Sequence, residues 1–136
     1  MLNSICVSKV GASHLRDNKP LQDSAKVLLE KGCSIFSVAD GHGGEKYFRS
    51  QFGSQLAAFA AEKEFSALLQ KLAHLDKENS QINWDSTIQN LERNIAAKWK
   101  RMVKNDFKKR PLSDKEKELC ESLNIPLEKF ETNTNE

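Results

Sequence analysis

The stretch from Ser34 to Gly44 constrains the fold more than any other part of the sequence. Its first half, residues 34–39, is the apolar run Ser-Ile-Phe-Ser-Val-Ala, which predicts a short buried strand. Asp40 falls where that strand ends, and Gly-His-Gly-Gly follows before a helical pattern opens at Glu45. A carboxylate at a strand end, beside glycines that let the backbone approach closely, suits a hard cation or a phosphate. A bare Asp-Gly pair is most often an ordinary turn, so the longer motif carries the functional interpretation.

Two further runs before this stretch predict additional strands. Residues 5–10 are β-branched and alternating, and the polar residues 12–21 that follow are typical of a loop. Residues 24–30 alternate as well, and a tight turn at Gly32 joins them to the run that ends at Ala39. We therefore expect three strands, of which the second and third form a hairpin.

The remaining sequence has helical periodicity. Residues 45–75 predict helix, with a break expected near Glu64, and a second long helix is expected after Trp84. The apolar stripe of that second helix, predicted to be buried, consists of Ile88, Leu91, Ile95, Trp99 and Met102. Strands followed by helices make the fold class α+β.

Two Ser-x-x-Glu/Gln patterns predict the starts of helices. Ser86 with Gln89 resembles a capping box at the start of the second long helix. Ser113 with Glu116 has the same pattern after Pro111, and predicts a short last helix.

Two blocks together resemble the signature of the metal-dependent serine/threonine protein phosphatases, the PPM or type 2C family. One is the Val-Ala-Asp-Gly-His-Gly-Gly run of residues 38–44, and the other lies within residues 11–24. The second block is similar to a bacterial-looking branch, and its matching residues are Gly11, Ser13, His14, Pro20, Gln22, Asp23 and Ser24.

The resemblance covers residues 5–60 well and implies an α-β-β-α sandwich with metals at one edge. Only part of that sandwich is expected here, antiparallel strands first and a helical layer after. The family's two later aspartate motifs find no counterpart among the aspartates after Asp40. The resemblance therefore implies that residues 1–136 are the N-terminal portion of one phosphatase domain, with its C-terminal half missing.

The family pattern also implies roles for the matching residues. Asp40 would bridge two Mg²⁺ or Mn²⁺ ions, the Gly41 carbonyl would be a further ligand, and Asp23 would lie at the metal centre. His42 would act as general acid to the leaving alkoxide, a task that suits the pKa of histidine. The alternatives are that Asp23 is only a turn residue and that His42 only orients Asp40.

Three residues in the block within residues 11–24 depart from the pattern or match it loosely. His14 stands near the place where many relatives have a phosphate-binding arginine, and Arg16 is a rival for that role. Many relatives have a glutamate at the position of Gln22, which here keeps a neutral oxygen and loses a charge. We therefore expect weaker binding of the second ion.

The resemblance implies metal-dependent hydrolysis of phosphoserine and phosphothreonine in a phosphorylated protein substrate. Because the later aspartates are missing, we expect this chain alone to be inactive. The alternative in another functional class is a non-catalytic remnant that serves as a binding or scaffold module. Incomplete cover of its strands also predicts self-association.

Composition narrows the partners and the compartment. The formal net charge of +2 is too small to imply a nucleic-acid partner, and the basic residues 98–110 are read as solvated helix faces. The sequence contains no run of membrane-spanning length and no signal pattern, so we expect no membrane partner. Three cysteines without Cys-x-x-Cys spacing suggest buried free thiols in the cytoplasm.

Overall fold

An antiparallel hairpin and a set of helices make up the residues that the computed structural model describes, which are 3–30, 32–75 and 81–131. The elements in chain order are α1 (Ala12–Arg16), β1 (Ser24–Glu30), β2 (Cys33–Ala39), a 3₁₀ helix (Glu45–Tyr47), α2 (Ser50–Ala73), α3 (Trp84–Lys109), α4 (Asp114–Ser122) and α5 (Glu128–Glu131). The expected α+β class is confirmed. The two strands precede the long helices, as expected, but the short helix α1 precedes both strands.

The hairpin forms where the sequence predicts it. β1 and β2 pair antiparallel in a register that runs from Ser24 opposite Ala39 to Glu30 opposite Cys33. Gly32 in the turn has φ 79°, a left-handed conformation that glycine adopts without a steric penalty. The register sets the open end of the hairpin, and therefore the edge at which residues 23 and 40 leave the sheet.

The prediction of a first strand over residues 5–10 is wrong. Residues 3–11 have no regular secondary structure, and both Ile5 and Val7 are exposed. The sheet of the described residues has two strands, because residues 5–10 do not form a hydrogen-bonded ladder with either of them. The predicted loop over residues 12–21 is also partly wrong, since it contains α1, in which the Leu15 N–H donates to the Gly11 carbonyl.

Helix α2 covers one face of the hairpin without the predicted break near Glu64. Ala58 and Ala60 are fully buried, and such small side chains let a helix lie close to a sheet. Ile35 and Ser37 of β2 are the buried residues of the covered face. Glu64 lies in mid-helix, where its carboxylate forms an ion pair with Lys98 of α3 at 2.7 Å.

The predicted burial of the α3 stripe is wrong. Ile88 is 50% exposed and Trp99 is 37% exposed, and the remaining stripe residues are half-buried. The periodic apolar face does meet α2, but the helix pair leaves its rim open to solvent. Asn83, rather than a Ser86–Gln89 box, caps the helix, because its side chain accepts a hydrogen bond from the Ser86 N–H at 3.0 Å.

Arg49, just before α2, connects this helix to the C-terminal helices. Its guanidinium donates to both carboxylate oxygens of Glu116 at 2.7 Å, and to the carbonyls of Arg110 at 2.6 Å and Pro111 at 3.0 Å. The side chains of Arg49 and Glu116 are only 13% and 24% exposed. The predicted Ser113–Glu116 capping box is confirmed, so the same carboxylate also caps α4.

The three cysteines differ in their surroundings. Cys120 of α4 is buried, and burial raises the pKa of its thiol. Cys6 and Cys33 are exposed, so the expectation of buried thiols is wrong for these two. Among the helices that the structure describes, none combines the length and apolarity needed to cross a bilayer.

The first testable prediction concerns the Arg49–Glu116 pair. Hydrogen bonds from Arg49, followed by those from Ser113, lower the pKa of Glu116 from its usual 4.5 to about 2. The stabilisation is therefore complete above about pH 4.5 and is lost as the pH falls towards 2. Glu116→Gln should lower the free energy of unfolding at neutral pH by about 2 kcal/mol, measured by urea denaturation.

Glu118→Gln, on an exposed position of the same helix, is the matched control and should change the free energy of unfolding by less than about 0.5 kcal/mol. The difference between the parent chain and Glu116→Gln should shrink as the pH falls through the same window. A difference that stays constant down to pH 2 would show that the carboxylate charge is not what stabilises this contact.

Candidate functional site

The open end of the hairpin brings the two sequence blocks together. Because Ser24 pairs with Ala39, Asp23 and Asp40 both leave the sheet at the same edge. The Gly41 N–H donates a hydrogen bond to the Asp23 carboxylate at 3.1 Å. The two loops therefore meet at one sheet edge, while the metal-binding roles of Asp23, Asp40 and Gly41 stay predictions.

The backbone around Gly41 is tightly packed against Gln22. A Cβ atom at position 41 would lie 2.2 Å from the Gln22 carbonyl oxygen, so only glycine fits this loop without a shift. The same carbonyl accepts a hydrogen bond from the hydroxyl of Ser54 in α2. Gln22 and Ser54 are 6% and 5% exposed, so this junction excludes water and holds the loop to the helix.

The side chain of Gln22 is also buried in this junction. Its amide oxygen is inaccessible to solvent and accepts no hydrogen bond from the described residues. A Cβ at Gly43 would lie 3.5 Å from this oxygen, which places it beneath the glycine loop. An oxygen acceptor without a donor, in the residue that precedes Asp23, fits the donor chemistry of a cation site.

His42 lies exposed on the same loop and is held by its neighbours. Its carbonyl accepts a hydrogen bond from the Ser50 hydroxyl at 2.8 Å, and its ring centroid lies 4.5 Å from that of Tyr47. Within the described part of the chain, the imidazole makes no hydrogen bond to Asp40. The general-acid role of His42 and the alternative that it orients Asp40 both stay predictions.

A cleft of about 430 Å³ adjoins Asp40 and His42. It extends from the loop to the start of α2, and its walls include the aromatic side chains of Tyr47, Phe48, Trp99, Phe107 and Phe130. The Trp99 indole donates to the Gly53 carbonyl at 3.0 Å, so this residue is a cleft wall rather than the core anchor expected from the sequence. A volume of this size is in the usual range of ligand clefts.

The two candidate phosphate-binding residues lie apart from these contacts. His14 and Arg16 are both on α1, and Arg16 is exposed. Within residues 3–30, 32–75 and 81–131, neither side chain makes a hydrogen bond, an ion pair or a ring contact. Neither residue lines the cleft beside His42, so the structure gives no support for preferring one of them as a phosphate ligand.

Sequence reasoning missed the residues that hold the loop in place. Ser54 binds the carbonyl of Gln22, Ser50 binds the carbonyl of His42, and Arg49 fixes the last helices beside the cleft. These residues surround the start of α2, shortly after the glycine motif, and that position was the only signal in the sequence that could have drawn attention to them.

Comparison with protein-family models identifies the chain. The model for protein phosphatase 2C matches residues 10–132, a range that includes both blocks and all the helices. The chain belongs to the protein phosphatase 2C family. Comparison with curated proteins and comparison with solved structures each gave no significant match.

Membership of the phosphatase 2C family gives the candidate site a context. The family's activity is phosphate hydrolysis and its members are generally metal-dependent. In the part of this phosphatase 2C chain that the structure describes, no group of three or more His, Cys, Asp or Glu side chains is placed to hold an ion. The donors that the loops do offer are the carboxylates of Asp23 and Asp40, the Gly41 carbonyl and the amide oxygen of Gln22.

The second testable prediction concerns the packing of the loop. Gly41→Ala would push a methyl group into the Gln22 carbonyl, and such overpacking typically costs about 1 to 3 kcal/mol. Gly43→Ala is the matched control, because its methyl group would meet only the Gln22 amide oxygen at 3.5 Å. Urea denaturation should place Gly41→Ala clearly below Gly43→Ala in stability, and equal losses would show that the loop does not pack as described.

Proposed function

We propose that the site at the open end of the hairpin carries out metal-dependent hydrolysis of phosphoserine and phosphothreonine in proteins when its set of ion ligands is complete. The observation that carries this proposal is the hydrogen bond from the Gly41 N–H to Asp23, which joins the two family blocks at one sheet edge. Oxygen donors of this kind are what Mg²⁺ and Mn²⁺ prefer, so these are the proposed ions.

The residues of the loop have distinct parts in this proposal. Asp40 and the Gly41 carbonyl would hold the ions, and Asp23 would complete that edge of the site. The chemistry that bound Mg²⁺ or Mn²⁺ supplies there is polarisation of the phosphate and activation of a water molecule. The fold's own contribution is position, because the buried Gln22–Ser54 contact fixes the loop before any ligand arrives.

His42 is the proposed general acid. Its ring is exposed beside the cleft and is oriented by contact with Tyr47. Histidine is a side chain that can give a proton to a departing seryl or threonyl oxygen at neutral pH. His14 and Arg16 remain candidates for binding the phosphate, with support only from their place in the block within residues 11–24.

We further propose that this chain alone does not turn over substrate. Two-metal hydrolysis requires both cations to be fixed, and most of its rate comes from that positioning and charge. The loops supply two carboxylates for this task, together with neutral oxygens from Gly41 and Gln22. Any further ion ligands would have to come from residues outside these two loops.

The third testable prediction is the absence of turnover. In an assay with para-nitrophenyl phosphate or a phosphopeptide and millimolar Mn²⁺, this chain and its Asp40→Asn variant should both stay at the background rate. Mn²⁺ should nevertheless raise the melting temperature of the parent chain and not that of Asp40→Asn. Manganese-dependent turnover that Asp40→Asn abolishes would show that the chain already has sufficient ligands.

A non-catalytic binding or scaffold role is the second candidate, and the uncovered face of the hairpin favours it. Phe36 and Val38 are 63% and 84% exposed, and they lie on the face opposite to α2, next to the half-exposed Leu29. A two-stranded sheet with one bare apolar face gains stability by packing on another surface. The partner that we propose is a second copy of this chain.

The fourth testable prediction concerns this self-association. Phe36→Thr combined with Val38→Thr keeps β propensity but removes the apolar surface, and should shift the chain towards monomer in light scattering after size-exclusion chromatography. Ile88→Thr, at an exposed apolar position of α3, is the matched control and should leave the mass unchanged. A parent chain that is monomeric at all concentrations, or a control that is equally disruptive, would contradict the proposal.

The proposed compartment is the cytoplasm, with a phosphorylated protein as the partner and with neither nucleic acid nor membrane. Two exposed free thiols, Cys6 and Cys33, suit a reducing environment. Two residues of the basic run also form ion pairs within the fold. Lys98 of α3 pairs with Glu64, and Arg110, just after α3, pairs with Asp106.

A further inference from the structure

The cleft beside the glycine loop is continuous with the candidate site. Its volume is about 430 Å³, its surface is mostly apolar, and Asp40, Gly41 and His42 belong to its lining. Concave apolar sites of this size bind the apolar parts of ligands, while a few polar groups fix the orientation of the ligand. A group bound in this cleft would therefore lie next to whatever is bound at the loop.

The aromatic side chains of the cleft are held in place by contacts within the fold. The ring centroid of Phe130 lies 6.2 Å from that of Phe48 and 5.6 Å from that of Phe107. The Trp99 indole is fixed by its hydrogen bond to the Gly53 carbonyl. The three phenylalanines are only half-buried, so their rings keep apolar surface for a further group. Aromatic rings pair well with another ring in offset or edge-to-face geometry, which favours an aromatic guest.

Tyr47 connects this cleft with positive charge at the loop. Its ring centroid lies 4.5 Å from that of His42 and 5.0 Å from the Lys46 Nζ atom. Lys46 is exposed, and it makes no ion pair within the part of the chain that the structure describes. The Arg49 guanidinium of the same lining is already paired with Glu116. Lys46 is therefore available to an anionic ligand such as a phosphorylated segment.

We propose that this cleft is a specificity subsite, which takes an aromatic side chain next to the phosphorylated residue of a protein substrate. This inference rests on the proposed function and deepens it, because it names the class of phosphorylated segment that the site prefers. Such a segment brings an anionic group and a neighbouring side chain together. The lining offers a place for each of them, with Lys46 and His42 at the loop and the phenylalanine rings in the cleft.

The fifth testable prediction uses a glycine of α2 to close the subsite. One face of this helix forms part of the cleft lining through Ser50, Gly53, Ser54 and Ala57. A Cβ atom at Gly53 would meet no atom within 4 Å, so Gly53→Leu adds a side chain to the cleft without a clash at its Cβ. Gly53→Ala is the matched control. Leucine and alanine are both better helix formers than glycine, so the melting temperature of neither variant should fall.

Binding is measured by fluorescence polarisation with labelled peptides in millimolar Mn²⁺. The peptides carry a phosphonate analogue of phosphoserine, which cannot be hydrolysed, followed by phenylalanine or alanine, and serine peptides of both kinds are the references. The phosphonate–phenylalanine peptide should bind the parent chain about tenfold more tightly than the phosphonate–alanine peptide, because one large apolar side chain is removed from water. Gly53→Leu should abolish that gain, and Gly53→Ala should keep it.

The outcomes separate this inference from the proposed function. If the phosphonate strengthens binding but phenylalanine gives no gain over alanine, the subsite is wrong and the proposed function stands. A gain from phenylalanine that survives in Gly53→Leu would place the aromatic side chain elsewhere and overturn the inference. If the phosphonate gives no gain over serine, the inference and the proposed phosphate site fail together. A change of mass in light scattering on Gly53→Leu would assign the cleft to a second copy of the chain, which also contradicts the inference.

Discussion

The geometry of the candidate site depends on one backbone carbonyl, that of Gln22. It accepts the hydroxyl hydrogen of Ser54 from α2, and the bare Cα of Gly41 packs against it. One acceptor therefore joins the residue that precedes β1, the loop that follows β2 and the helix that covers the hairpin. Since Gln22 and Ser54 are buried, water does not compete for this contact, and the position of α2 sets the position of the loop. The Gly41 N–H is aimed at Asp23 as a consequence.

Arg49 forms a second set of contacts that fix the start of α2. Its bidentate pair with Glu116 and its bonds to the Arg110 and Pro111 carbonyls hold the end of α3 and the start of α4 beside the loop. Planar guanidinium groups suit this task, because one side chain can satisfy several fixed acceptors at once. The aromatic walls of the cleft follow from the same contact, since the Arg49 guanidinium also lies 4.8 Å from the centre of the Phe107 ring. Arg49 therefore supports both the glycine loop and the cleft.

The features that could be predicted from the sequence are those set by local patterns. The hairpin follows from two alternating runs and a glycine turn, and the meeting of Asp23 with the Asp40 loop follows from the hairpin. The strand expected over residues 5–10 is wrong because alternation cannot show whether a partner strand is present to pair with it. The prediction that the α3 stripe is buried is wrong, because periodicity shows which side chains share a face of the helix. It does not show how much of that face other elements cover. Ser54 and Arg49 escaped notice because their partners lie 32 and 67 residues away, beyond any local pattern.

Family membership and catalytic competence are decided by different parts of this structure. A family model matches a framework, and here the framework is the glycine loop, its buried support at Gln22 and the helices that hold it. Turnover depends instead on how many charged oxygens fix the cations, because the stabilisation of the reacting phosphate grows with each ion held in place. The packing that places the first ligands uses backbone carbonyls, a serine and glycines, none of which is consumed in the chemistry. A match to the framework therefore shows family membership, whereas turnover depends on ion ligands that the framework alone does not supply.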